Sequence, residues 1–260
     1  MSRPKGYVDA DYLDMAARLM EPSKQRSYQL LHLRPGDKVL DVGCGPGTDT
    51  LTLSRLVGTT GEVHGADHDA AMVAQASQRA EAVDLGAYVF HRQADASALP
   101  WPEGYFDASR SERVFQHLCE PERAFAEMVR VTRPGGWVVV LDGDWSTFTI
   151  DSDETELERR LVRFHAERMI NNPYSGRGLH RLFRSQGLQD LSIEVWPVFL
   201  TDYAMARRIV RLDDVETEAL AAGVIDQNES RRWQASLQRA SALNGFFVSV
   251  NGVTVAGRKP

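Results

Sequence analysis

The sequence predicts an α/β fold, in which a mostly parallel sheet carries helices on both faces. Two observations predict it: apolar segments alternate with helical periodicity about every 20–30 residues, and a glycine-rich turn separates the first apolar segment from the first helix. Strands that alternate with helices form right-handed βαβ units, which place neighbouring strands in parallel. Ligands bind such sheets at the carboxyl ends of the strands, so we expect one site there.

The strands and helices follow one another in a regular order. The apolar segments predict strands at Lys38–Gly43, Glu62–Asp67 and Ala87–Gln93, from Tyr105 onward, and at Trp137–Asp142, Ser192–Phe199 and Phe246–Ala256. Helical periodicity predicts helices at Thr48–Leu56, Ala70–Ala82 and Glu120–Thr132. We expect residues 1–34 to form an N-terminal helical cap and residues 35–260 to form one domain, with helical insertions at about 146–186 and 202–242.

The composition is that of an acidic globular protein. The 260 residues are 43% hydrophobic with a net charge of −6, and basic residues form no run longer than pairs such as Arg207 and Arg208. Nucleic-acid binding requires Lys and Arg to neutralise phosphates, so we expect a small-molecule partner and no nucleic acid. No apolar run reaches the roughly 18 residues of a membrane span, and no signal peptide is evident, so we expect no membrane partner. Cys44 and Cys119 form no CxxC pair, which favours a reducing cytoplasm. We expect a monomer or homodimer.

The glycine-rich turn carries the strongest functional signal. Residues 39–48, VLDVGCGPGT, lead from a strand into a helix. Glycines let the backbone approach a ligand closely, and a helix start adds unpaired N–H groups. The dinucleotide-binding pattern GxGxxG fails because position 48 is Thr. The spacing GxGxG after Asp41 resembles instead the first motif of the class I S-adenosylmethionine-dependent methyltransferases.

Three later segments resemble the same family in the same order. Residues 93–102, QADASALPWP, are similar to its GDAxxLPFPD segment, residues 106–118, FDASRSERVFQHL, to the segment after its fourth strand, and residues 131–136, VTRPGG, to its LRPGG turn. The resemblance covers residues 34–145 and is closest to the ubiquinone/menaquinone-biosynthesis type. It implies a Rossmann-like seven-stranded, mostly parallel sheet with an antiparallel final strand, helices on both faces, and N-terminal and C-terminal helical cap elements.

The resemblance implies S-adenosylmethionine as the cofactor. Asp67 ends the second strand, where its two carboxylate oxygens match the two hydroxyls of a ribose. Asp95 accepts a hydrogen bond from the adenine amino group in this interpretation, and His68 packs beside the ribose or is a surface residue. The predicted cofactor-binding residues are Asp41, Gly43, Cys44, Gly45, Gly47, Asp67, His68, Met72, Asp95, Ala96, Arg110 and Ser111, the last two through their backbone.

The acceptor side is less defined by the sequence. The resemblance places His117 near the transferred methyl group, where it takes a proton from a substrate hydroxyl or amine. A capping or packing histidine is the alternative. Arg113 is a candidate to bind a carboxylate through its planar fork. Asp144, Trp145 and Tyr174 are candidate substrate contacts by position alone.

These features predict methyl transfer from S-adenosylmethionine to an oxygen, nitrogen or carbon atom of a small molecule, a secondary metabolite or quinone-like compound. The alternative is an S-adenosylmethionine-binding protein of the same fold that catalyses a non-methylating reaction such as cyclisation. Thr48 disfavours a nicotinamide dehydrogenase, and the acidic charge disfavours an RNA methyltransferase. No metal is expected, because the acidic run at residues 151–158 includes no His and no defined ligand set.

Overall fold

The computed structural model describes residues 19–260, which include a seven-stranded sheet. The strands are β1 (Lys38–Val42), β2 (Glu62–Asp67), β3 (Val89–Gln93), β4 (Phe106–Glu112), β5 (Thr132–Ile150), β6 (Gln189–Leu200) and β7 (Val248–Arg258). They lie in the order β3-β2-β1-β4-β5-β7-β6. Strands β1 to β5 pair in parallel, whereas β7 runs antiparallel to β5 and β6. The predicted mostly parallel sheet with an antiparallel final strand is confirmed.

Helices surround the sheet. They are α1 (Glu21–Gln29), α2 (Thr48–Val57), α3 (Ala70–Glu81), α4 (Pro121–Val131), α5 (Thr155–Met169), α6 (Ser175–Ser185), α7 (Tyr203–Ile209), α8 (Leu212–Ala221) and α9 (Gln227–Ala242). A short 3₁₀ helix, Phe115–His117, follows β4. Local sequence sets several helix starts: the Asp69 side chain accepts a hydrogen bond from the Ala71 amide at the start of α3, and Asp226 and Glu229 form a capping box at α9.

Both faces of the sheet are buried, which explains why its central strand is almost continuously apolar. In β1, Leu40 and Val42 belong to a hydrophobic cluster that includes Phe125 of α4. Val39 points to the other face and packs in a second cluster with Leu53 of α2. All three β1 side chains are at most 1% exposed. The alternation along one strand therefore supplies two cores.

A third hydrophobic cluster joins the later helices to the long ends of β5 and β7. Phe148 of β5 and Val248 of β7 pack there with Leu161 of α5 and Trp233 of α9. We call α5, α7, α8 and α9 the helical cap. Residues 146–150 continue β5, which pairs with β7 as far as Ile150 after a register shift. The strand thus extends into the range where the sequence predicted a helical insertion.

The predicted division of the chain remains a prediction. Residues 1–18 of the expected N-terminal cap, 1–34, lie outside the described residues, and α1 lies in the described part. The predicted insertion at 202–242 holds α7, α8 and α9. Within residues 19–260, no helix is long and apolar enough to cross a membrane.

Candidate active site

A cavity of about 670 Å³ lies at the carboxyl ends of the central strands. Its wall includes Val42 at the end of β1, Asp67 at the end of β2 and Glu112 at the end of β4. The volume falls within the roughly 300–1,000 Å³ typical of small-molecule sites. The cavity continues from the glycine-rich turn to the helical cap and residues 248–252 of β7. We call the part of the cavity beside the glycine-rich turn the glycine-loop half, and the part beside the helical cap and β7 the cap half.

The glycine-rich turn is held tightly against its neighbours. Gly43 has a φ of +75°, and a Cβ on it would lie 2.1 Å from Cγ2 of Val114. Gly47 has a φ of +82°, and its Cβ would lie 2.8 Å from that of Ala76. Both positions therefore require glycine for internal packing and for the left-handed backbone. Gly43, Cys44 and Gly45 line the cavity, whereas Gly47 lies outside the wall formed by residues 19–260.

Asp67 lies next to this turn and is organised by the backbone. Its Oδ2 accepts a hydrogen bond from the Gly45 amide (2.8 Å), and its Oδ1 accepts one from the Asp69 amide (3.0 Å). Burial alone would raise the pKa of Asp67, but these hydrogen bonds and His68 outweigh it and hold the pKa below its usual value. Asp67 is therefore a fixed carboxylate, and His68, which pairs with it, has a raised pKa.

Four more of the predicted cofactor-binding residues form the next part of the cavity wall. Met72, Asp95, Ala96 and His68 all line the cavity. Oδ1 of Asp95 accepts hydrogen bonds from the amide and hydroxyl of Ser97, each over 2.8 Å. The hydrogen bond from the Ser97 amide lowers the pKa of Asp95 most, and the bond from the Ser97 hydroxyl lowers it further. Asp95 is therefore an ionised acceptor at the edge of the glycine-loop half.

A buried ionic cluster lies beneath the turn and joins α1 to the sheet. It comprises Lys24, Tyr28, Asp41, Asp49, Arg110 and Glu112. Arg110 contacts Asp49 (2.9 Å), Asp41 (3.1 Å) and Glu112 (2.6 Å), and Lys24 contacts Asp49 (2.6 Å) and Glu112 (3.0 Å). Lys24, Asp49 and Glu112 line the cavity, and sequence reasoning missed all three. Only Asp49, directly after the glycine motif, gave a local signal.

The cluster explains where two predicted residues lie. Asp41 and Arg110 are 2% and 1% exposed, respectively, and stand behind the cavity wall. Burial raises the pKa of Asp41 to about 7. Burial would also raise the pKa of Asp49, but Arg110 and Lys24 hold it below its usual value. Ser111 is buried as well, and its hydroxyl donates to the Val42 carbonyl (2.9 Å). Backbone contacts of Arg110 and Ser111 with a cofactor remain predictions.

His117 lines the cavity but is already engaged. Its Nε2 lies 3.0 Å from Nε2 of Gln116, whose Oε1 accepts a hydrogen bond from the Trp145 indole (2.6 Å). The indole can only donate, so the Gln116 amide group must donate to His117. The neutral ring then carries its proton on Nδ1, which is buried and finds no partner among residues 19–260.

The protonation of His117 bears on its predicted role. Burial, with a contribution from Arg113, lowers the pKa of His117 to about 4. The ring is therefore neutral at pH 7, and its one lone pair is occupied by Gln116. A proton-accepting role would require that hydrogen bond to break. The alternative of a packing histidine accounts for the observed contacts, and the catalytic role remains a prediction.

The four predicted substrate contacts divide into two pairs. Arg113 and Trp145 line the cavity. Asp144 is 5% exposed and forms a salt bridge with Arg177 (2.8 Å), while Tyr174 is 48% exposed and lies 5.6 Å from the guanidinium of Arg177. Asp144 and Tyr174 lie outside the wall formed by the described residues. Contacts of these two residues with substrate remain predictions.

The loop before α6 supports the 3₁₀ helix. Asn172 donates through Nδ2 to the carbonyls of Phe115 (2.9 Å) and Leu118 (2.5 Å), and its amide donates to the Gln116 carbonyl (2.8 Å). Asn171 donates to the His117 carbonyl (2.8 Å). The two asparagines therefore hold the segment that carries Gln116 and His117.

The cap half is mainly apolar, and sequence reasoning gave no individual residue of the helical cap in it. Its apolar and aromatic wall residues are Trp145, Phe148, His165, Ile170, Val198, Phe199, Leu200, Ile209, Val210, Val248 and Val250. They come from β5, β6, β7, α5, α7 and the adjoining turns. The hydrophobic periodicity of these segments predicts only that the residues are buried. It does not distinguish residues that line a cavity from residues that fill a core.

Comparisons with known proteins agree with this geometry. A family described as a methyltransferase domain matches residues 40–140. An uncharacterized 37.1 kDa protein in transposon TN4556 of Streptomyces fradiae is 34% identical over 249 residues, which cover 93% of this chain and 69% of that protein. The ubiquinone/menaquinone biosynthesis C-methyltransferase UbiE of Erwinia tasmaniensis is 39% identical over 110 residues, which cover 42% of this chain and 44% of that protein.

The match to UbiE thus spans less than half the length of that relative. Among solved structures, a geranyl diphosphate C-methyltransferase from Streptomyces coelicolor A3(2) superimposes with a TM-score of 0.60 at 18% identity, covering 96% of this chain and 82% of that chain. At that identity the likeness shows a shared fold.

The fold is that of the Rossmann-like α/β proteins, whose ligands bind at the carboxyl ends of the strands. The chain belongs to the class I S-adenosylmethionine-dependent methyltransferases, and is of the UbiE-like type. The predicted family, the enzyme class and S-adenosylmethionine as its cofactor are confirmed. Within residues 19–260, no group of three or more His, Cys, Asp or Glu side chains is placed to hold a metal ion.

Proposed function

We propose that the protein transfers the methyl group of S-adenosylmethionine to an oxygen, nitrogen or carbon atom of an apolar small molecule bound in the cap half. One observation carries the proposal: a continuous cavity joins the glycine-rich turn to a mainly apolar pocket beside the helical cap. The name of one relative, a quinone-biosynthesis C-methyltransferase, supports a quinone-like compound or secondary metabolite as acceptor. The structural neighbour is named for geranyl diphosphate, whose hydrocarbon chain is apolar although its diphosphate is charged.

The residues of the glycine-loop half fit the cofactor. Each oxygen of Asp67 accepts one backbone hydrogen bond, and Oδ2 keeps capacity for a ribose hydroxyl. Oδ1 also contacts the exposed His68 ring (3.3 Å), which would turn away when a second hydroxyl binds. Acids that line this half outnumber the Lys and Arg residues there, which suits a ligand with sulfonium and ammonium charges. These residues are Asp49, Asp67, Asp69, Asp95 and Glu112, against Lys24 and Arg113. When bound, S-adenosylmethionine supplies a methyl group on a positively charged sulfur.

The remaining task of the chain is to position the acceptor. Apolar walls of the cap half bind its body and exclude water, and they hold its reacting atom within about 3–3.5 Å of the methyl group. The enzyme needs no covalent nucleophile of its own: the acceptor atom forms the new bond to the methyl carbon, S-adenosylhomocysteine leaves as a neutral thioether, and the proton that methyl replaces is released to solvent. The acidic net charge of −6 supports a free metabolite as acceptor rather than nucleic acid. We place the reaction in the cytoplasm.

Calorimetry and mass spectrometry test this proposal. We expect S-adenosylmethionine and S-adenosylhomocysteine to bind the protein competitively. Incubation with S-adenosylmethionine and a Streptomyces metabolite extract should yield S-adenosylhomocysteine and a product in which methyl replaces hydrogen. No binding of either nucleoside would refute the proposal. Binding without any conversion, whatever the acceptor, would favour the alternative of a non-methylating reaction such as cyclisation.

A further inference from the structure

The cap half contains an aromatic group formed by Trp145, Phe148 and His165, all of which line the cavity. The Trp145 indole stacks on the His165 ring, with centroids 5.2 Å apart and planes at 30°. Phe148 meets the indole edge-on at 5.9 Å. Phe148 and His165 are each 4% exposed, whereas Trp145 is half-buried. Trp145 is therefore the member of the group that presents ring surface to a ligand.

Hydrogen bonds hold both the ring and the backbone of Trp145 in place. Its Nε1–H donates to Oε1 of Gln116 (2.6 Å), and the Trp145 amide donates to the Pro173 carbonyl (2.8 Å). The side-chain amide of Gln116 cannot rotate by 180°. Its NH₂ group would then face the indole N–H, so that two donors would meet, and its oxygen would face Nε2 of His117. A Cβ on Gly143 would lie 3.0 Å from Trp145 Nε1, so the glycine leaves room for this hydrogen bond.

We propose that Trp145 is a stacking surface that selects acceptors with a planar aromatic ring, and that Gln116 is the residue that positions it. The inference rests on the proposed function and adds the acceptor class to it. A ring held in place before binding loses little conformational freedom when a ligand stacks on it, so the stacking gain is retained. Offset or edge-on aromatic contacts add to simple burial, and we expect about a 3- to 10-fold preference for an aromatic over a saturated ring.

The surroundings favour a neutral aromatic ring over a cation. An aromatic cage for a quaternary ammonium directs several ring faces at one point. Here the three rings contact one another, with Phe148 and His165 also 5.1 Å apart, so their faces are not directed at a common point, and Trp145 is the ring that keeps open surface. Burial lowers the pKa of His165 to about 4, and its Nε2 donates to the Val210 carbonyl (2.9 Å), so the group carries no charge at pH 7. A flat, uncharged surface matches a flat, uncharged ring.

Two probes with the same carbon skeleton test the inference. The affinities of 1-naphthol and decahydro-1-naphthol are measured by calorimetry on the full chain saturated with S-adenosylhomocysteine. We expect the wild type to prefer 1-naphthol 3- to 10-fold and Trp145→Leu to abolish that preference. Trp145→Phe should keep only part of it, because an aromatic ring remains but its hydrogen bond to Gln116 is lost. Gln116→Leu should reduce the preference although the indole is still present, a change in ratio that a general loss of stability would not produce. Trp196→Leu, outside the cavity wall, is the matched control and should keep the wild-type ratio.

The outcomes separate this inference from the proposed function. Equal affinity of the wild type for the two probes, no binding of 1-naphthol, or an unchanged ratio in Trp145→Leu would overturn the stacking role. An unchanged ratio in Gln116→Leu would overturn the positioning role. Each variant is also titrated with S-adenosylhomocysteine alone. Failure of the wild type to bind that nucleoside would count against the proposed function, whereas normal binding with no aromatic preference would count against Trp145 only.

Discussion

Asp67 shows how the backbone prepares one residue for a ligand. Its two oxygens are held by the amides of Gly45 and Asp69, which point them along fixed directions. We expect Asp67→Asn to weaken binding of S-adenosylmethionine about 10- to 100-fold, because an amide keeps one acceptor and loses the charge that strengthens both hydrogen bonds. Isothermal titration calorimetry at pH 7 measures the change.

The matched control is Asp84→Asn, at an exposed position after α3. It removes the same charge away from the cavity and should leave the affinity within a factor of two or so of the wild type. Equal weakening in the two variants would point to net charge rather than to a contact with the ribose. Thermal unfolding of both variants shows whether the fold is retained.

At the residue scale, the sequence predicted the acids that end strands better than it explained the glycines. Asp67 is the last residue of β2 and Asp95 lies two residues beyond β3, so their place at the sheet edge was predictable. The glycines at 43 and 47 were attributed to close approach of a ligand, whereas contacts with Val114 and Ala76 also require them. Those contacts join distant parts of the chain and leave no local pattern. Lys24 was missed for the same reason.

Asn172 ties two elements together, the loop before α6 and the 3₁₀ helix after β4. We expect Asn172→Ala to lower the free energy of unfolding by about 1–3 kcal/mol, because the carbonyls of Phe115 and Leu118 lose their donor. Urea denaturation followed by circular dichroism measures this change. Asn171→Ala is the matched control: it removes one exposed hydrogen bond, to His117, and should cost less than half as much. Equal losses would contradict the bridging role of Asn172.

The elements themselves were largely predictable, with β5 as the informative exception. Its predicted end was Asp142, because the next residues, GDWST, are not a run of apolar side chains. The structure extends it to Ile150, since the antiparallel partner β7 pairs with this segment past the irregularity between Asp144 and Thr149. Pairing between segments a hundred residues apart is a tertiary effect, and periodicity in one segment does not contain it.

Buried carboxyl groups make the stability of the whole molecule depend on pH. Burial raises the pKa of Asp142 to about 7, above the value of about 3.9 in an unfolded chain. The folded protein holds this proton where the unfolded chain has lost it, so the stabilisation is complete below about pH 4 and is lost as the pH rises through 7. We expect Asp142→Asn to reduce the difference in unfolding free energy between pH 5 and pH 8 by roughly 1–3 kcal/mol.

Urea denaturation at the two pH values tests this, with Asp151→Asn as the exposed control. Asp41, whose pKa burial also raises to about 7, contributes in the same direction in every variant. His117 and His165, with pKa values lowered to about 4, act in the opposite direction between about pH 4 and 6.5. Comparing each variant with the wild type cancels these common contributions. An unchanged pH dependence in Asp142→Asn would show that Asp142 ionises normally in the folded protein.

At the scale of the molecule, the sequence predicted the cofactor side of the cavity and left the acceptor side open. The glycine-rich turn and the strand-end acids are arranged by local geometry, so their spacing carries the information. The cap half is assembled from β5, β6, β7, α5 and α7, whose apolar residues serve equally well as core. Only the packed structure shows that a space remains between them.

The long pairing of β5 with β7 limits how an acceptor can enter. The two strands pair from Trp137 and Arg258 to Asp144 and Asn251, and again from Thr149 to Ile150 after an irregularity, and so both run from the sheet into the helical cap. A hinge between the two would have to break this ladder, whereas movement of α5 and α7 alone would not. Entry of the acceptor and release of the product should therefore depend on local movements of α5 and α7. The strand part of the cap-half wall should therefore stay attached to the sheet while its helical part adapts to the acceptor.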